Sequence, residues 1–282
     1  MTRRVVVIGA SGFVGGAIVN ELVSSGQEVL RINRAMLDLI DPTAADELAR
    51  LIRSTDHVVF AAAEAPCKTL ESLERNITLV FAVLQAICVR PPAYLINISS
   101  DAVYLDSASP LSELSPVGPA NIHGAMHSAR EALLNSAPNP VLHIRPTLIY
   151  GFGDPHDGYG PNQFLSRARS GAGLQLFGNG EERRDHVHIK DVASVAVRCL
   201  KNRPTGVLNV ASGEVRSFHE IAEHVARLSG GTIQVQPTPR TGPMPHGGYR
   251  PISVDKLREL FPDLVPIKVL DGIAREVASH GI

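Results

Sequence analysis

The stretch NIHGAMHSAREA, residues 121–132, carries three side chains that could perform proton or metal chemistry. His123, His127 and Glu131 follow one another at intervals of four residues, so a helix here would place all three on one face. A histidine can act as a general acid or base because its unperturbed pKa of about 6.5 lies near working pH. Side chains on one helical face can also serve as metal ligands. The stretch therefore predicts either a proton-transfer site or a metal site.

The elements that would position these residues follow an alternating pattern of strands and helices. Near-continuous Val, Ile and Leu runs are typical of parallel strands that are buried on both faces. Residues 74–89 have a helical pattern with the apolar side chains on one face, and Pro91 and Pro92 end the segment. The alternation predicts an α/β fold with a doubly wound parallel sheet and right-handed crossovers. The predicted strands are RVVVIGA, QEVLRIN, HVVFAAA, AYLINIS and VLHIRPTLI.

The second half of the chain has a different pattern. After about residue 150 it contains glycine-rich loops and a late Pro/Gly-rich stretch, QPTPRTGPMPHGGYRP. We therefore expect the sheet domain to occupy residues 1–150 and a smaller lobe to occupy residues 151–282. Segments near residues 185–212 are expected to return to the sheet.

Composition restricts the classes of partner. The chain has 282 residues and a net charge of −1, which gives no general attraction to nucleic acid or anionic membranes. Cys67, Cys88 and Cys199 are scattered, as expected of buried reduced thiols in a cytosolic protein. The N-terminus runs directly into a strand, unlike a signal peptide, and no apolar run approaches the roughly 20 residues that span a bilayer. We expect a soluble cytoplasmic protein whose partner is a small molecule.

A glycine turn, GASGFVG, follows the first predicted strand and precedes an amphipathic helix. In that context Gly9 allows a tight turn, Gly12 lets the backbone approach a pyrophosphate, and Gly15 lets the helix pack on the strand. The helix N-terminus also offers N–H groups and partial positive charge to phosphates. The turn predicts a dinucleotide site with contacts from Gly9, Ser11, Gly12, Phe13, Val14 and Gly15.

The end of the second strand predicts which dinucleotide is bound. An acidic residue there would accept from the 2′-hydroxyl of NAD, whereas an arginine nearby suits the 2′-phosphate of NADP. The strand ends RINR, so Asn33 and Arg34 stand where a carboxylate would select NAD. Arg34 could also be a solvated surface charge. The residues favour NADP over NAD and leave both open.

Several further stretches together resemble the extended short-chain dehydrogenase/reductase family, which includes nucleotide-sugar epimerases, dehydratases and 4-keto-reductases. LDLIDP is similar to the family's adenine-contacting segment, especially in the dTDP-4-dehydrorhamnose reductase branch. FAAA, NISSDAVY, RPTLIYGFGDP and RRDHVHIKDVA follow in the family's order. The resemblance covers nearly the whole chain and implies a Rossmann-type fold with a small C-terminal substrate lobe. It also implies cofactor contacts from Asp38, Leu39, Ala61, Ala62, Ala63 and Asn76.

The chain departs from this family at its reactive pair. The family pattern is Tyr-x-x-x-Lys, and His123 and His127 stand in those places, whereas Glu131 is kept. In the family the tyrosine transfers a proton as hydride moves between the nicotinamide and the substrate. The lysine lowers the pKa of the tyrosine and holds the nicotinamide ribose. Because the family carries the glutamate without a metal, we predict no metal site.

Two functions remain open. In the first, the chain is an NAD(P)-dependent reductase or epimerase in which His123 transfers the proton, Ser100 orients the reacting oxygen and His127 bonds a ribose hydroxyl. Asp101 lies where dehydratase relatives carry an acid, and it could equally be a capping carboxylate. Imidazole is shorter than phenol, and proton transfer needs a heavy-atom distance of about 2.6–3.2 Å or a bridging water. In the second, the chain binds the cofactor without turnover and has a regulatory or structural role.

The resemblance also implies a nucleotide-activated sugar as substrate. Arg184 and Arg240 match arginines that approach the substrate diphosphate, and a planar guanidinium suits phosphate because it donates two parallel hydrogen bonds. Either arginine could instead pair with a nearby surface carboxylate. Asn162 and Phe177 lie in stretches similar to the substrate loop and the shelf for the nucleotide base. Relatives often dimerise through the helix with the reactive pair and the preceding helix, so a homodimer is expected.

Overall fold

The computed structural model describes residues 3–280, which divide into two compact units. The first unit comprises residues 3–105, 115–146 and 192–208, and the second comprises residues 106–114, 147–191 and 209–280. The strands are β1 (Val5–Ile8), β2 (Val29–Ile32), β3 (His57–Phe60), β4 (Tyr94–Ile98), β5 (Val141–Pro146), β6 (Leu148–Tyr150), β7 (Leu174–Phe177), β8 (Arg183–His188), β9 (Gly206–Val210), β10 (Val215–Ser217), β11 (Val235–Thr238) and β12 (Tyr249–Arg250). The helices are α1 (Phe13–Ser24), α2 (Ala44–Leu51), α3 (Leu70–Val89), α4 (Ile122–Leu134), α5 (Pro161–Arg169), α6 (Ile189–Asn202), α7 (Phe218–Leu228), α8 (Asp255–Leu260) and α9 (Val269–His280).

The first unit is built on a six-stranded sheet in the order β2-β1-β3-β4-β5-β9. The neighbouring strands from β2 to β5 are parallel. Every residue of β1, β3 and β4 is buried, which is the burial expected when helices cover both faces of a parallel sheet. The predicted class, a mostly parallel sheet with flanking helices, is therefore confirmed.

Local signals in the sequence start the helices of this unit. α1 begins directly after Gly12 in the glycine turn. α3 begins with a capping box in which Thr69 and Ser72 bond each other's backbone N–H groups, and α4 begins at Asn121, whose side chain accepts from the Gly124 N–H. The carboxyl ends of parallel strands share one edge of a sheet, so the segments after β1, β3 and β4 all lie at that edge.

Helix α3 corrects the expectation that no segment is long and apolar enough to span a bilayer. By length and composition alone, Leu70–Val89 passes that test, the one helix to do so among residues 3–280. In the sequence, Glu71, Glu74 and Arg75 interrupt the apolar run in the first two turns, so the segment does not stand out as one continuous apolar stretch. One side of α3 packs on α2 and α4, and a core helix passes the same test.

The second unit has its own sheets and its own core. Strand β8 pairs antiparallel with β10 and parallel with β6 and β12, and β7 pairs parallel with β11. Helices α5, α7 and α9 pack together around buried side chains that include Phe164, Phe218 and Ile273. Residues 106–114 join this unit, which the sequence analysis did not predict.

Candidate active site

A cavity of about 290 Å³ lies at the carboxyl ends of β1, β2 and β3. This is the edge at which open parallel sheets bind ligands, close to the point where the strand order reverses. The cavity is lined by residues of the glycine turn and by residues that follow β2 and β3. The predicted cofactor contacts among its lining residues are Gly9, Ser11, Gly12, Asn33, Arg34, Asp38, Leu39, Ala61, Ala62 and Ala63.

Two glycines of the turn, Gly9 and Gly15, leave no room for side chains. Gly9 has φ +90°, and a Cβ there would lie 2.5 Å from the Ala62 nitrogen. A Cβ on Gly15 would lie 2.1 Å from the Gly9 carbonyl oxygen, so only glycine allows α1 to approach β1 this closely. Phe13, Val14 and Gly15 form the first turn of α1, whose N–H groups have no carbonyl partner within the helix. The backbone therefore fits the pyrophosphate of a dinucleotide.

The cavity wall that follows β2 carries one positive and one negative side chain, Arg34 and Asp38. The Arg34 Nε donates to Asp38 Oδ2 at 3.1 Å, and both side chains are substantially exposed. The Ile40 N–H and then Arg34 hold the pKa of Asp38 below its usual value. Asn33 forms a turn in which its side chain accepts from the Met36 N–H. The arginine that favoured NADP is thus partly neutralised by a carboxylate in the same wall.

Asn76 lies behind the cavity wall and holds it in place. Its side chain accepts from the Glu64 N–H at 2.9 Å and donates to the Glu64 and Ser72 carbonyls. Asn76 is buried and is absent from the lining of the cavity. The structure thus gives it a contact with the loop after β3, at residues 61–64.

The two histidines lie together on α4, one turn apart. Their ring centroids are 4.8 Å apart and the rings are nearly perpendicular. The Cys67 N–H donates to His123 Nδ1 at 3.3 Å, so in the neutral ring the proton is assigned to Nε2. His123 is half-buried. A backbone amide therefore orients His123 with a donor on the far side of its ring.

His127 is an uncharged residue in this arrangement. Burial lowers its pKa well below the usual value, and the neighbouring His123 and Arg130 lower it further. Its Nδ1 atom is buried and has no hydrogen-bond partner among the described residues. A lone acceptor or donor of this kind costs free energy unless something bonds it. His127 therefore supplies no positive charge, and its buried Nδ1 atom is left without a partner among the described residues.

Ser100 and Asp101 follow β4 at the same edge of the sheet. The Ser100 hydroxyl accepts from the Ala102 N–H at 3.1 Å and caps a short 3-10 helix at Asp101–Val103. Asp101 is buried within that turn. Ser100 thus caps this 3-10 helix, and its hydroxyl proton remains available for a second bond.

Glu131 does not act together with the two histidines. It forms a bidentate ion pair with Arg145, at 2.9 and 2.5 Å, and it accepts from the Ser99 hydroxyl. Among residues 3–280, no group of three or more His, Cys, Asp or Glu side chains is arranged to hold a metal ion. Glu131 thus fastens α4 to β4 and β5.

Arg130 is the site residue that sequence reasoning missed. It is buried beneath the strand ends and donates to the Phe60 and Ala62 carbonyls at 2.8 and 2.7 Å. An arginine in an amphipathic helix is usually a solvated charge, and only its position three residues after His127 could have drawn attention to it.

In the second unit, the two arginines predicted to contact phosphate lie near the same carboxylate, that of Glu182. Arg184 Nη1 lies 3.2 Å from Glu182 Oε1, and Arg240 Nη1 lies 4.0 Å from Glu182 Oε2. Arg240 also donates to the Phe177 carbonyl at 2.9 Å, and the exposed Phe177 ring packs on Tyr159. The pairing that the sequence analysis considered for these arginines therefore occurs, with Glu182 as the shared partner.

Asn162 is separate from this arginine cluster. It accepts from the Gly151 N–H and donates to Asp154 at 2.6 Å, so it fixes the loop after β6. Both ends of its amide are engaged within that loop.

A parallel sheet with a glycine turn and a cavity at its carboxyl edge defines a dinucleotide-binding protein. The chain belongs, more particularly, to the NAD dependent epimerase/dehydratase family, whose model matches residues 5–211. This confirms the family that the sequence motifs resemble.

The chain is similar to named relatives over most of its length. The dTDP-4-dehydro-6-deoxy-D-allose reductase of Streptomyces bikiniensis is 26% identical over 81% of this chain and 82% of its own. The UDP-glucose 4-epimerase of Mycolicibacterium smegmatis is 28% identical over 97% of both chains. In fold, the chain is similar to the solved UDP-glucose 4-epimerase of Thermus thermophilus, a complex with NAD. That similarity has a TM-score of 0.81 at 23% identity and covers 98% of both chains.

Proposed function

We propose that the protein is an NAD(P)-dependent reductase or epimerase that acts at a carbinol carbon of a nucleotide-activated sugar. The observation that carries the proposal is the hydrogen bond from the Cys67 N–H to His123 Nδ1, which fixes the ring and assigns the proton of the neutral ring to Nε2. His123 belongs to the unit that also holds the cofactor cavity. A bound nicotinamide would supply the hydride acceptor or donor.

The chain's own residues then divide the remaining work. The N–H groups at the start of α1 would hold the pyrophosphate, Arg34 would meet the adenosine ribose, and Asp38 would contact the adenine. His123 would take the proton of the substrate hydroxyl at Nε2 from the tautomer protonated on Nδ1, or give it from the imidazolium, and both states require Nδ1 to release the Cys67 N–H. The Ser100 hydroxyl would orient the substrate oxygen. His127 is neutral, so it bonds a ribose hydroxyl as a dipole. Because histidine titrates near working pH, His123 needs no cation at position 127 to tune it.

The substrate class is supported by the named relatives and by the second unit. The reductase and the epimerase are both named for nucleotide sugars. Arg184 and Arg240 form a pair that could bind a diphosphate once Glu182 is displaced or solvated. In this proposal Glu182 forms ion pairs with both arginines when substrate is absent.

The alternative is a cofactor-binding protein without turnover. The family pattern has a charged lysine at position 127, whereas burial holds His127 neutral. The absence of that charge favours the alternative function. Both functions predict dinucleotide binding, and only the first predicts that His123 matters for conversion of a sugar.

The test has two stages. NADH and NADPH are titrated by the emission of the reduced nicotinamide, and the absence of tryptophan keeps protein emission low. Nucleotide sugars are then screened with the wild type, His123→Ala and the control His224→Ala, whose side chain bonds the Leu270 carbonyl between α7 and α9. Turnover lost only in His123→Ala supports the enzyme. Full turnover in His123→Ala removes His123 from the mechanism, and binding without any turnover supports the alternative.

A further inference from the structure

Arg130 is a buried cation that no carboxylate neutralises. Its side chain is 1% exposed, and its three hydrogen-bond acceptors are the Phe60 carbonyl, the Ala62 carbonyl and the Asn97 side-chain oxygen. The guanidinium also stacks 3.6 Å from the centroid of the Phe60 ring. Among the ion pairs of residues 3–280, none involves Arg130. Burial lowers its pKa to about 9, so it remains charged at neutral pH.

A buried charge without a counter-ion is costly to the fold, so its contacts call for an explanation. The two carbonyls that it binds belong to residues 60–62, at the end of β3, and Ala61 and Ala62 line the cofactor cavity. Its third acceptor, Asn97, is in β4 and is bonded in turn to His143. The guanidinium therefore joins α4 to two strand ends and fixes the backbone that forms the cavity floor.

The position of Arg130 on α4 matters as much as its contacts. His123 and His127 lie on the same helix, and His127 is kept neutral by burial. The two residues that replace the family's reactive pair thus provide no fixed charge. The nearest carboxylate along the helix, Glu131, is engaged by Arg145. Arg130 is consequently an uncompensated positive charge behind a cavity that fits an anionic cofactor.

We propose that Arg130 is a positioning residue of the cofactor site, which fixes residues 60–62 through its fork and supplies the site's fixed positive charge. This inference rests on the proposed dinucleotide binding. NADH has one more negative charge than NAD⁺, because its nicotinamide ring is neutral. A fixed cation should therefore favour NADH over NAD⁺, whereas a purely steric role would affect both nucleotides equally.

The experiment measures dissociation constants for NAD⁺ and NADH by calorimetry in the wild type and three variants. Arg130→Met removes both fork and charge, so both constants should rise about tenfold, with an additional several-fold loss for NADH. Arg130→Lys keeps the charge and loses the fork, so both constants should rise by a similar factor. Asn97→Asp keeps the acceptor and adds a carboxylate beside Arg130, so it should weaken NADH more than NAD⁺.

A matched control is Arg4→Met, which removes another largely buried arginine from the same unit. Arg4 lies just before β1, at the opposite end of the strand from the cavity, and pairs with Asp56 at 2.6 Å. Its loss should leave both constants within about twofold. Circular dichroism checks the fold of each variant. If Arg130→Met does not fold, Arg130→Lys and Asn97→Asp still test the fork and the charge separately.

The outcomes distinguish a failure of the proposed dinucleotide binding from a failure of the role proposed for Arg130. If the wild type binds neither nucleotide, the proposed function fails and the inference fails with it. If the wild type binds and the folded Arg130 and Asn97 variants bind equally well, Arg130 is only structural. An equal loss of NAD⁺ and NADH affinity in Arg130→Met and Asn97→Asp would refute the role of its charge.

Discussion

Replacing His127 by lysine should destabilise the protein, although the family pattern has lysine at that place. The side chain at position 127 is buried, with 5% exposure, and Arg130 follows three residues later on the same helix. A lysine there would bring a second positive charge beside Arg130, and Glu131, one turn further along α4, is already paired with Arg145. Neutral His127 avoids this conflict.

The size of the effect can be worked from spacing and reference pKa values. Residues three apart on a helix have Cβ atoms about 5–6 Å apart, and two like charges about 6 Å apart at an effective dielectric of about 20 repel by roughly 3 kcal/mol. Desolvation of the ammonium adds to this. The cost at pH 7 has an upper limit of about 5 kcal/mol, because beyond it the lysine releases its proton. We therefore expect a destabilisation of about 3–5 kcal/mol.

The assay is urea unfolding of His127→Lys against His127→Met, which has similar length and no charge. Lysine's folded pKa would be lowered, so between that value and about 10.4 the unfolded chain holds a proton that the folded state lacks. Stability therefore rises with pH in this window, and the deficit should shrink by up to about 2 kcal/mol between pH 7 and 8.5. Adding Arg130→Met to both variants should reduce the deficit by about 3 kcal/mol.

Two results would refute this reasoning. A deficit that does not change with pH would mean that the lysine is rejected for its shape, since sterics do not titrate. A deficit that is unchanged by Arg130→Met would mean that the charge of Arg130 does not reach position 127.

The other predictions concern the cofactor, pH and assembly. Because Arg34 and Asp38 neutralise each other, NADH and NADPH affinities should differ less than about tenfold, with Arg34→Ala favouring NADH and Asp38→Asn favouring NADPH in fluorescence titrations. Burial raises the pKa of Asp185 to about 6, so the folded state keeps a proton that the unfolded chain releases above its ordinary value of 3.8. Stability measured by urea unfolding should therefore fall by up to roughly 3 kcal/mol as pH rises through that window, and Asp185→Asn should flatten the fall. The exposed Phe81 on α3 is expected at a homodimer interface, so sedimentation should show a dimer for the wild type and a monomer for Phe81→Glu.

The parts of the fold and site that follow local patterns were predictable from sequence. The spacing of Gly9 and Gly15 in the sequence predicts the glycine turn. The continuous apolar runs predict the strands. Ala61 and Ala62 were implied by the family resemblance of FAAA, and they lie where a buried parallel strand ends at the ligand edge.

The remaining features depend on residues that the fold brings together from a distance. Cys67 and His123 are 56 positions apart, and nothing about a cysteine suggests that its amide will orient a histidine. Glu182 becomes the shared partner of Arg184 and Arg240 only when β8 and the segment after β11 meet. The burial of Arg130 likewise requires β3 and β4 to end beneath α4.

The two replacements on α4, His123 for tyrosine and His127 for lysine, are explained together if the positive charge of the site lies at position 130 and not at position 127. A lysine at position 127 and an arginine at position 130 would repel each other without a shared carboxylate, since Glu131 is committed to Arg145. With the cation at Arg130, position 127 must be neutral, and a buried imidazole satisfies that requirement. A proton carrier at position 123 then cannot rely on a neighbouring ammonium to lower its pKa, as a tyrosine would. Histidine titrates near neutrality without such help, so the presence of Arg130 accounts for His127 and, through it, for His123.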